Sequence, residues 1–409
     1  MEEVSHLIKK AKAHKIPFPK NYASEFLIFE KGEGVYLFDL DGKKYIDFGS
    51  GIAVNSLGHG REDLALTAYE QMKKVVHTSN LYTTEPSLVL AEKLRALGNF
   101  DAVHFGNSGT EANEAAIKYA RLYSYNKKGL GNHKILAMEA GFHGRTMGAL
   151  ACTHNTAYKT SFEPLLTDVE FVPLNDVETL TKKLDSAFAA VIVEVIQGEG
   201  GLKMMTGEYA KALNTLCKEH DVILIADEVQ TGIGRTGWPF ACSLVDLEPD
   251  IMTLAKPLAA GLPLSATLIP GKINDYLKPG DHGSTFGGGP VTCAVAGQVL
   301  DIVFDPSFLA DVRKAGEYLA KKLEESAKKF SFTGKILGTG LLLGLEIIQP
   351  LGYANDLLKE IITKSEENGL LILRSGKNIV RIAPPLIIEE KQIDEGIEIF
   401  TKVLESFEI

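Results

Sequence analysis

Two side chains, Asp227 and Lys256, each close an apolar run. Asp227 follows Val222–Ala226, and Lys256 follows Ile251–Ala255. Such runs suit strands of a parallel sheet buried on both faces. In open α/β sheets, ligands sit at the carboxyl ends of the strands. A carboxylate and an amine delivered there suit a pyridine-aldehyde cofactor. The amine holds the aldehyde as a Schiff base, and the carboxylate pairs with the ring nitrogen. Burial would also lower the lysine pKa and favour the free amine. Each residue has a plainer reading. Most lysines are solvated. An Asp after a strand could chelate magnesium, but the G-x-x-x-x-G-K-[ST] loop that goes with that role is absent.

Other motifs supply what such a pair would need. Gly106-Asn107-Ser108-Gly109-Thr110 stands between an expected strand and a helix that carries Ala112, Ala115, Ala116, Tyr119 and Ala120 on one face. Gly109 permits close approach of the backbone. Thr110 and the free N–H groups of a helix start can then hold a phosphate. A plain N-cap is the alternative. In Gly141-Phe142-His143-Gly144-Arg145-Thr146, Phe142 could stack on a ring and Arg145 could clamp a carboxylate through two parallel bonds. A surface loop with a solvated Arg is the other reading. Glu194 interrupts the apolar run Ala190–Ile196, ahead of Gln197-Gly198-Glu199-Gly200-Gly201. A buried carboxylate there needs a cationic partner, which could be purely structural. After Asp227, Val229 is placed for a ring face and Gln230 for a phenolic oxygen. Ser284-Thr285-Phe286-Gly287 could complete a phosphate cup or serve as a flexible linker. Arg381, among the aliphatics of Ile379–Pro385, suits a buried carboxylate clamp or a structural ion pair. Gly338-x-Gly340-x-x-x-Gly344 has the wrong spacing for a dinucleotide fingerprint and is expected to be a bending strand.

These residues must be positioned by a large fold. The chain has 409 residues, 45% hydrophobic and 23% charged, ordinary for a globular protein with two domains. A net charge of -10 argues against nucleic acid or an anionic membrane as partner. Four scattered cysteines with no C-x-x-C pair predict buried thiols rather than disulfides or zinc. No apolar stretch approaches the roughly 20 residues of a membrane span, and the acidic start lacks a signal-peptide core. A cytoplasmic location is expected.

Residues 1–15 suit a polar helical arm. Residues 34–48 suit a hairpin turning at Asp41-Gly42. From about 60 to 270 strands and helices alternate, the pattern of a largely parallel sheet. After 308 a long helix, two strand pairs and two more helices suggest a smaller α+β domain. The expected division is an N-terminal arm and hairpin (1–55) joining the small domain, a large cofactor-binding domain (56–295) and a C-terminal small domain (296–409).

In this order the motifs resemble the class III (ω-amino acid) aminotransferases of the fold-type I pyridoxal-phosphate enzymes. The resemblance runs from about Asn21 to the end. It is most specific at Gly51–His59, Asn107–Arg121, Phe142–Thr146, Gln197–Gly201, Asp227–Gly234 and Asp281–Gly288. It implies an α/β fold with a mostly parallel sheet sandwiched by helices plus a smaller α+β domain. It implies pyridoxal 5'-phosphate bound through Lys256 and Asp227, with Ser108, Gly109, Thr110, Phe142, His143, Val229 and Gln230 as further contacts. It also implies a homodimer in which the other subunit supplies Thr285.

The implied reaction is ping-pong transfer of the δ-amine of N2-acetylornithine to 2-oxoglutarate, a step of arginine biosynthesis. Ornithine, N2-succinylornithine and 4-aminobutyrate are alternative donors. Arg145 matches the clamp for the substrate carboxylate, and Glu194 with Arg381 matches a switch pair that serves the second substrate. Tyr22, Asn55 and Glu199 match positions near the substrate. An aminomutase on the same scaffold would need no second carboxylate clamp. A dinucleotide-dependent oxidoreductase would lack the near-visible absorbance of a Schiff base.

Overall fold

The computed structural model describes residues 19, 21, 27–350 and 356–407. Tyr22 and the expected arm over 1–15 lie outside them. Near the start, β1 (Phe29–Glu33), β2 (Tyr36–Asp39) and β3 (Lys44–Asp47) form an antiparallel meander. The hairpin β2–β3 turns where Asp41-Gly42 predicts, with Gly42 at φ 81°. Strand β1 carries no strand signal in the sequence, because Phe-Glu-Lys-Gly-Glu is charged and sits at a sheet edge where little is buried.

Seven strands then build the central sheet: β4 (Ala102–Gly106), β5 (Lys134–Met138), β6 (Val169–Val172), β7 (Phe188–Val193), β8 (Ile223–Asp227), β9 (Ile251–Leu254) and β10 (Ser265–Ile269). Their order is β4-β10-β9-β8-β7-β5-β6. Neighbours from β9 to β6 pair in parallel, and β10 runs antiparallel to both β9 and β4. The apolar runs are continuous because both faces are covered. Leu136, Val191 and Leu224 enter one core, while Ile135, Ile192 and Ile225 enter the other. The second core is sealed by helix Gly109–Lys128 through Ala115, Ala116, Tyr119 and Ala120. Alanines there let the helix axis lie close to the sheet.

The tail carries β11 (Thr333–Thr339), β12 (Leu342–Ile347), β13 (Leu370–Leu371), β14 (Leu373–Ser375) and β15 (Ile379–Ile382). Strands β11-β12-β15-β14 make one antiparallel sheet, and β13 pairs in parallel with β3, which ties the N-terminal meander to the C-terminal part. The Gly338–Gly344 segment is a bend between β11 and β12, with Gly338 at φ 86° and Gly340 at φ 58°. Helix Pro290–Val303 runs unbroken across the expected boundary at 295/296 and packs on helices Glu62–Lys74 and Glu85–Arg95. The chain turns only at Pro306, where helix Pro306–Ala327 begins. Among the described residues no single helix is long and apolar enough to cross a membrane.

Gly316, inside that last helix, meets the β11–β12 bend. A Cβ at 316 would lie 2.4 Å from the Gly340 carbonyl oxygen. Alanine in a helix gains about 1 kcal/mol over glycine, but the neighbour here is backbone and cannot rotate away. The clash outweighs the propensity, so Gly316→Ala is expected to destabilise the protein by about 1–3 kcal/mol. Urea unfolding measures this, and an unchanged or raised midpoint would contradict the packing.

Candidate active site

Because β4, β5, β7, β8 and β9 run the same way, their carboxyl ends meet at one edge of the sheet. A cavity of about 230 Å³ opens there. The loop after each strand contributes one piece of its wall. Gly109 and Thr110 follow β4, Phe142, His143 and Arg145 follow β5, and Glu194 and Glu199 follow β7. Val229 and Gln230 follow Asp227 at the end of β8, and Lys256 follows β9. The structure thus brings together residues spread over nearly 150 positions of sequence.

Asp227 is buried and fully engaged. Its Oδ2 accepts from Asn113 Nδ2 at 2.7 Å and lies 2.8 Å from His143 Nδ1, while its Oδ1 accepts from the Val229 N–H at 3.0 Å. Facing a carboxylate, His143 Nδ1 must carry its proton. Burial alone would pull the His143 pKa down. The hydrogen bond and charge of Asp227, helped by Glu194, outweigh it and leave the imidazole raised. Asn113 also donates to the His143 carbonyl at 2.7 Å and accepts from Thr253 Oγ1 at 2.8 Å. Neither Asn113 nor Thr253 is among the site residues expected from the sequence. The available signals are an amide on the same helix stripe as Ala116 and Ala120, and a hydroxyl inside an apolar strand.

Lys256 is half-buried and presents its side chain to the cavity. Burial lowers its pKa, and the charge of Arg381 adds to that, against Asp227, Glu199 and Glu194. Its backbone takes φ 31° immediately before Pro257. That region is costly for a non-glycine residue, about 1–3 kcal/mol, and such strain concentrates at functional positions.

Glu194 accepts from the Phe142 N–H at 2.9 Å and the Gly198 N–H at 3.0 Å. Burial pushes its carboxyl up to about 7, with His143 pulling it down and Asp227 pushing it further up. The expected Glu194–Arg381 pair does not form. Arg381 Nη1 instead donates to Glu199 Oε1 at 2.6 Å and to the Gly198 carbonyl at 2.9 Å. The reason is local geometry. The loop after β7 spends Glu194 on two backbone N–H groups and carries Glu199 across to β15, which holds Arg381. Sequence offered two carboxylates five positions apart and no means to choose between them.

The remaining expected residues divide. The Ser108 hydroxyl caps helix Gly109–Lys128, accepting from the Glu111 N–H and donating to Glu111 Oε2 at 2.7 Å, and it does not line the cavity. The plain N-cap thus describes Ser108, while Gly109 and Thr110 face the cavity. Thr110 Oγ1 accepts from the Arg145 and Thr146 N–H groups, each at 3.2 Å, which ties the helix start to the arginine loop. Asn55 lines a separate cavity of about 450 Å³ beside His59 and Gly261. Thr285 lines a third, of about 370 Å³, with His104 and His282.

The cavity fits a phosphorylated pyridine aldehyde. It offers a carboxylate for a protonated ring nitrogen, an amine of lowered pKa for an aldehyde, and helix-start N–H groups that have no intrahelical acceptor for a phosphate. Phe142 and Val229 supply apolar faces for a ring. Packing favours glycine at Gly109, where a Cβ would lie 2.5 Å from Val229 Cγ1, and a Cβ on Gly198, 1.8 Å from Gln230 Oε1, would displace the Gln230 side-chain amide.

Comparison with known proteins agrees with this chemistry. The family model for class-III aminotransferases matches residues 18–404. The acetylornithine aminotransferase of Caldanaerobacter subterraneus is 44% identical over 378 residues, which cover 92% of this chain and 94% of that protein. The solved acetylornithine aminotransferase of Elizabethkingia anophelis superposes with a TM-score of 0.84 at 35% identity, covering 98% of this chain and 99% of that one. An ornithine aminotransferase structure from Toxoplasma gondii, which contains partially occupied PLP at its active site, superposes at 0.90 with 30% identity, covering 99% and 94%.

The raised Glu194 pKa has a testable sign. Its folded value of about 7 exceeds the usual 4.5. Its contribution to stability is therefore full below pH 4.5 and is lost as pH rises through 7. In cofactor-free protein, the stability of wild type relative to Glu194→Gln is expected to fall by up to about 3 kcal/mol across that window. Urea titrations from pH 4.5 to 8 measure it. A difference that stays flat would show that burial does not hold the proton on Glu194.

Proposed function

The chain belongs to the class-III aminotransferases, and from that membership we propose that it transfers the δ-amino group of N2-acetylornithine to 2-oxoglutarate, yielding N-acetylglutamate 5-semialdehyde and glutamate. The observation that carries the reaction type is the convergence of Lys256, Asp227 and the start of helix Gly109–Lys128 on one cavity. The donor rests on the higher sequence identity to acetylornithine enzymes than to ornithine enzymes. That product places the step in arginine biosynthesis.

Pyridoxal 5'-phosphate, when bound, supplies an aldehyde that takes up the amino group and a protonated ring that accepts the electron pair left on the donor carbon. The chain's own residues hold and time this chemistry. Asp227, kept in place by Asn113 and His143, holds a proton on the ring nitrogen. Phe142 and Val229 would cover the ring faces, and Gln230 would face its phenolic oxygen. Gly109 and Thr110 would hold the phosphate from one subunit, and Thr285 of the partner subunit would complete the cup. The amine of Lys256 anchors the aldehyde. As a free amine of lowered pKa, Lys256 would take the proton from the donor δ-carbon and deliver it two atoms away, across the nitrogen, to the former aldehyde carbon.

Two substrates must share one cavity in a ping-pong cycle. Arg145 clamps the distal carboxylate of each. 2-Oxoglutarate brings a second carboxylate, for which Arg381 is the remaining cation. Glu199 neutralises Arg381 while the donor is bound and yields it to the acceptor. Glu199 thus takes the role that sequence alone assigns to Glu194.

We propose a homodimer on the basis of an apolar face. Tyr69, Met72, Leu81 and Tyr82 are exposed by 58%, 57%, 85% and 74%, and Phe286, next to Thr285, by 68%. Large apolar side chains this exposed suit burial against a second copy of the chain. The four cysteines are buried and unpaired, which suits a reducing, cytoplasmic setting.

In a half-reaction titration, N2-acetylornithine is expected to bleach the near-visible band of the Lys256-linked cofactor, and 2-oxoglutarate to restore it. Rapid bleaching by ornithine or 4-aminobutyrate with none by N2-acetylornithine would overturn the donor assignment. Lys256→Ala is expected to lose the band and at least about 10²–10⁴-fold in turnover. Sedimentation should show a species of twice the chain mass. A monomer that is fully active would refute the shared site.

A further inference from the structure

We propose that Tyr158 is the positioning residue that sets the orientation of Arg145 and thereby the affinity for the substrate's distal carboxylate, an inference that rests on Arg145 being the carboxylate clamp. The clamp has an unusual setting. Arg145 is exposed, and among the described residues its guanidinium has no ion pair and no side-chain hydrogen bond. A free arginine side chain at a cavity mouth carries rotamer entropy that a substrate would have to overcome. Here two aromatic rings restrict it. The guanidinium carbon lies 3.7 Å from the centroid of Tyr158 and 5.5 Å from that of Phe142.

The two rings meet edge-on at 6.4 Å and 89°. Two rings set nearly perpendicular to one another thus contact the guanidinium, while a carboxylate is recognised by the N–H donors along the guanidinium edge. A carboxylate needs that edge and not the faces, so stacking and clamping do not compete. Tyr158 closes the short helical turn Thr156–Tyr158, which Asn155 caps through the Ala157 N–H. The ring is thus placed by a separate, locally ordered element rather than by the loop that carries Arg145. Phe142 is already committed to the cofactor ring in the functional reading, which leaves Tyr158 as the residue whose face serves Arg145 alone. Among the described residues the Tyr158 hydroxyl makes no hydrogen bond, so the ring and not the oxygen carries the effect.

Steady-state kinetics of the cofactor-loaded enzyme test this with four variants. Arg145→Ala is expected to raise the KM for N2-acetylornithine strongly. Tyr158→Leu is expected to raise the same KM about tenfold with kcat within about twofold and the cofactor absorbance unchanged, a loss of about 1.4 kcal/mol. Tyr158→Phe should match wild type. Tyr158→His should lie near wild type at pH 8 and show a rising KM at pH 6, where an imidazolium repels the guanidinium. That pH dependence is a readout that a merely structural role would not move, and it stands even where leucine at this position prevents folding. An Arg145→Ala effect without any Tyr158→Leu or Tyr158→His effect overturns the proposal and leaves the clamp intact. A Tyr158→Phe variant as weak as Tyr158→Leu also overturns it, because the hydroxyl would then be responsible. No KM change in Arg145→Ala would remove the clamp reading itself.

Discussion

Asp227 is a carboxylate placed out of water at the end of a fully buried strand, and an ion in that position costs several kcal/mol unless donors replace the solvent. The structure supplies three of them, from Asn113, His143 and the Val229 N–H. Each comes from a different part of the fold. Asn113 is on the helix that covers the sheet, His143 on the loop after β5, and Val229 on the loop after Asp227 itself. Asn113 is further locked by Thr253 on the neighbouring strand β9. One ionisable group thus ties together the elements that form the cavity, and any of them that shifted would leave a buried polar group unpaired.

The charge pattern of the cavity follows from the same cost. Two cationic residues, Lys256 and Arg381, and three carboxylates, Asp227, Glu194 and Glu199, lie close enough to shift the pKa of Lys256. Arg381 and Glu199 satisfy one another directly. Glu194, with no cation in contact among the described residues, relies on two backbone N–H groups and holds its proton up to about neutral pH. Among the described residues Lys256 has no direct ion pair, and its ammonium form is disfavoured. A nucleophilic amine is thus the product of where the charges are not as much as of where they are.

Much of the architecture was legible in the sequence. The apolar runs before Asp227 and Lys256 are long because parallel strands bury both faces, and this signal survives without any partner being known. The start of helix Gly109–Lys128 was equally clear from Ser108, Gly109 and the alanine stripe. Edge strand β1 was not, because little of it is buried and its side chains are those of a loop. The choice between Glu194 and Glu199 was also out of reach. Both lie in one loop, and only the approach of β15, nearly 200 positions later, distinguishes them. Asn113 and Thr253 were hidden for the opposite reason: they sit in regular, apolar elements where a polar residue carries no signal until its partner is seen.

Local sequence therefore determined what is local. It set the strand and helix pattern, the residues able to do pyridoxal chemistry, and the family to which they correspond, because apolar periodicity and strand-end loops are encoded over short spans. Tertiary structure decided which charges meet. The Arg381–Glu199 pair, the Asn113–Asp227–His143 network and the stacking of Arg145 against Tyr158 depend on the order of strands in the sheet and on how the C-terminal strands fold back over it. Electrostatic partners are chosen by distance in space, and no spacing along the chain reports that distance.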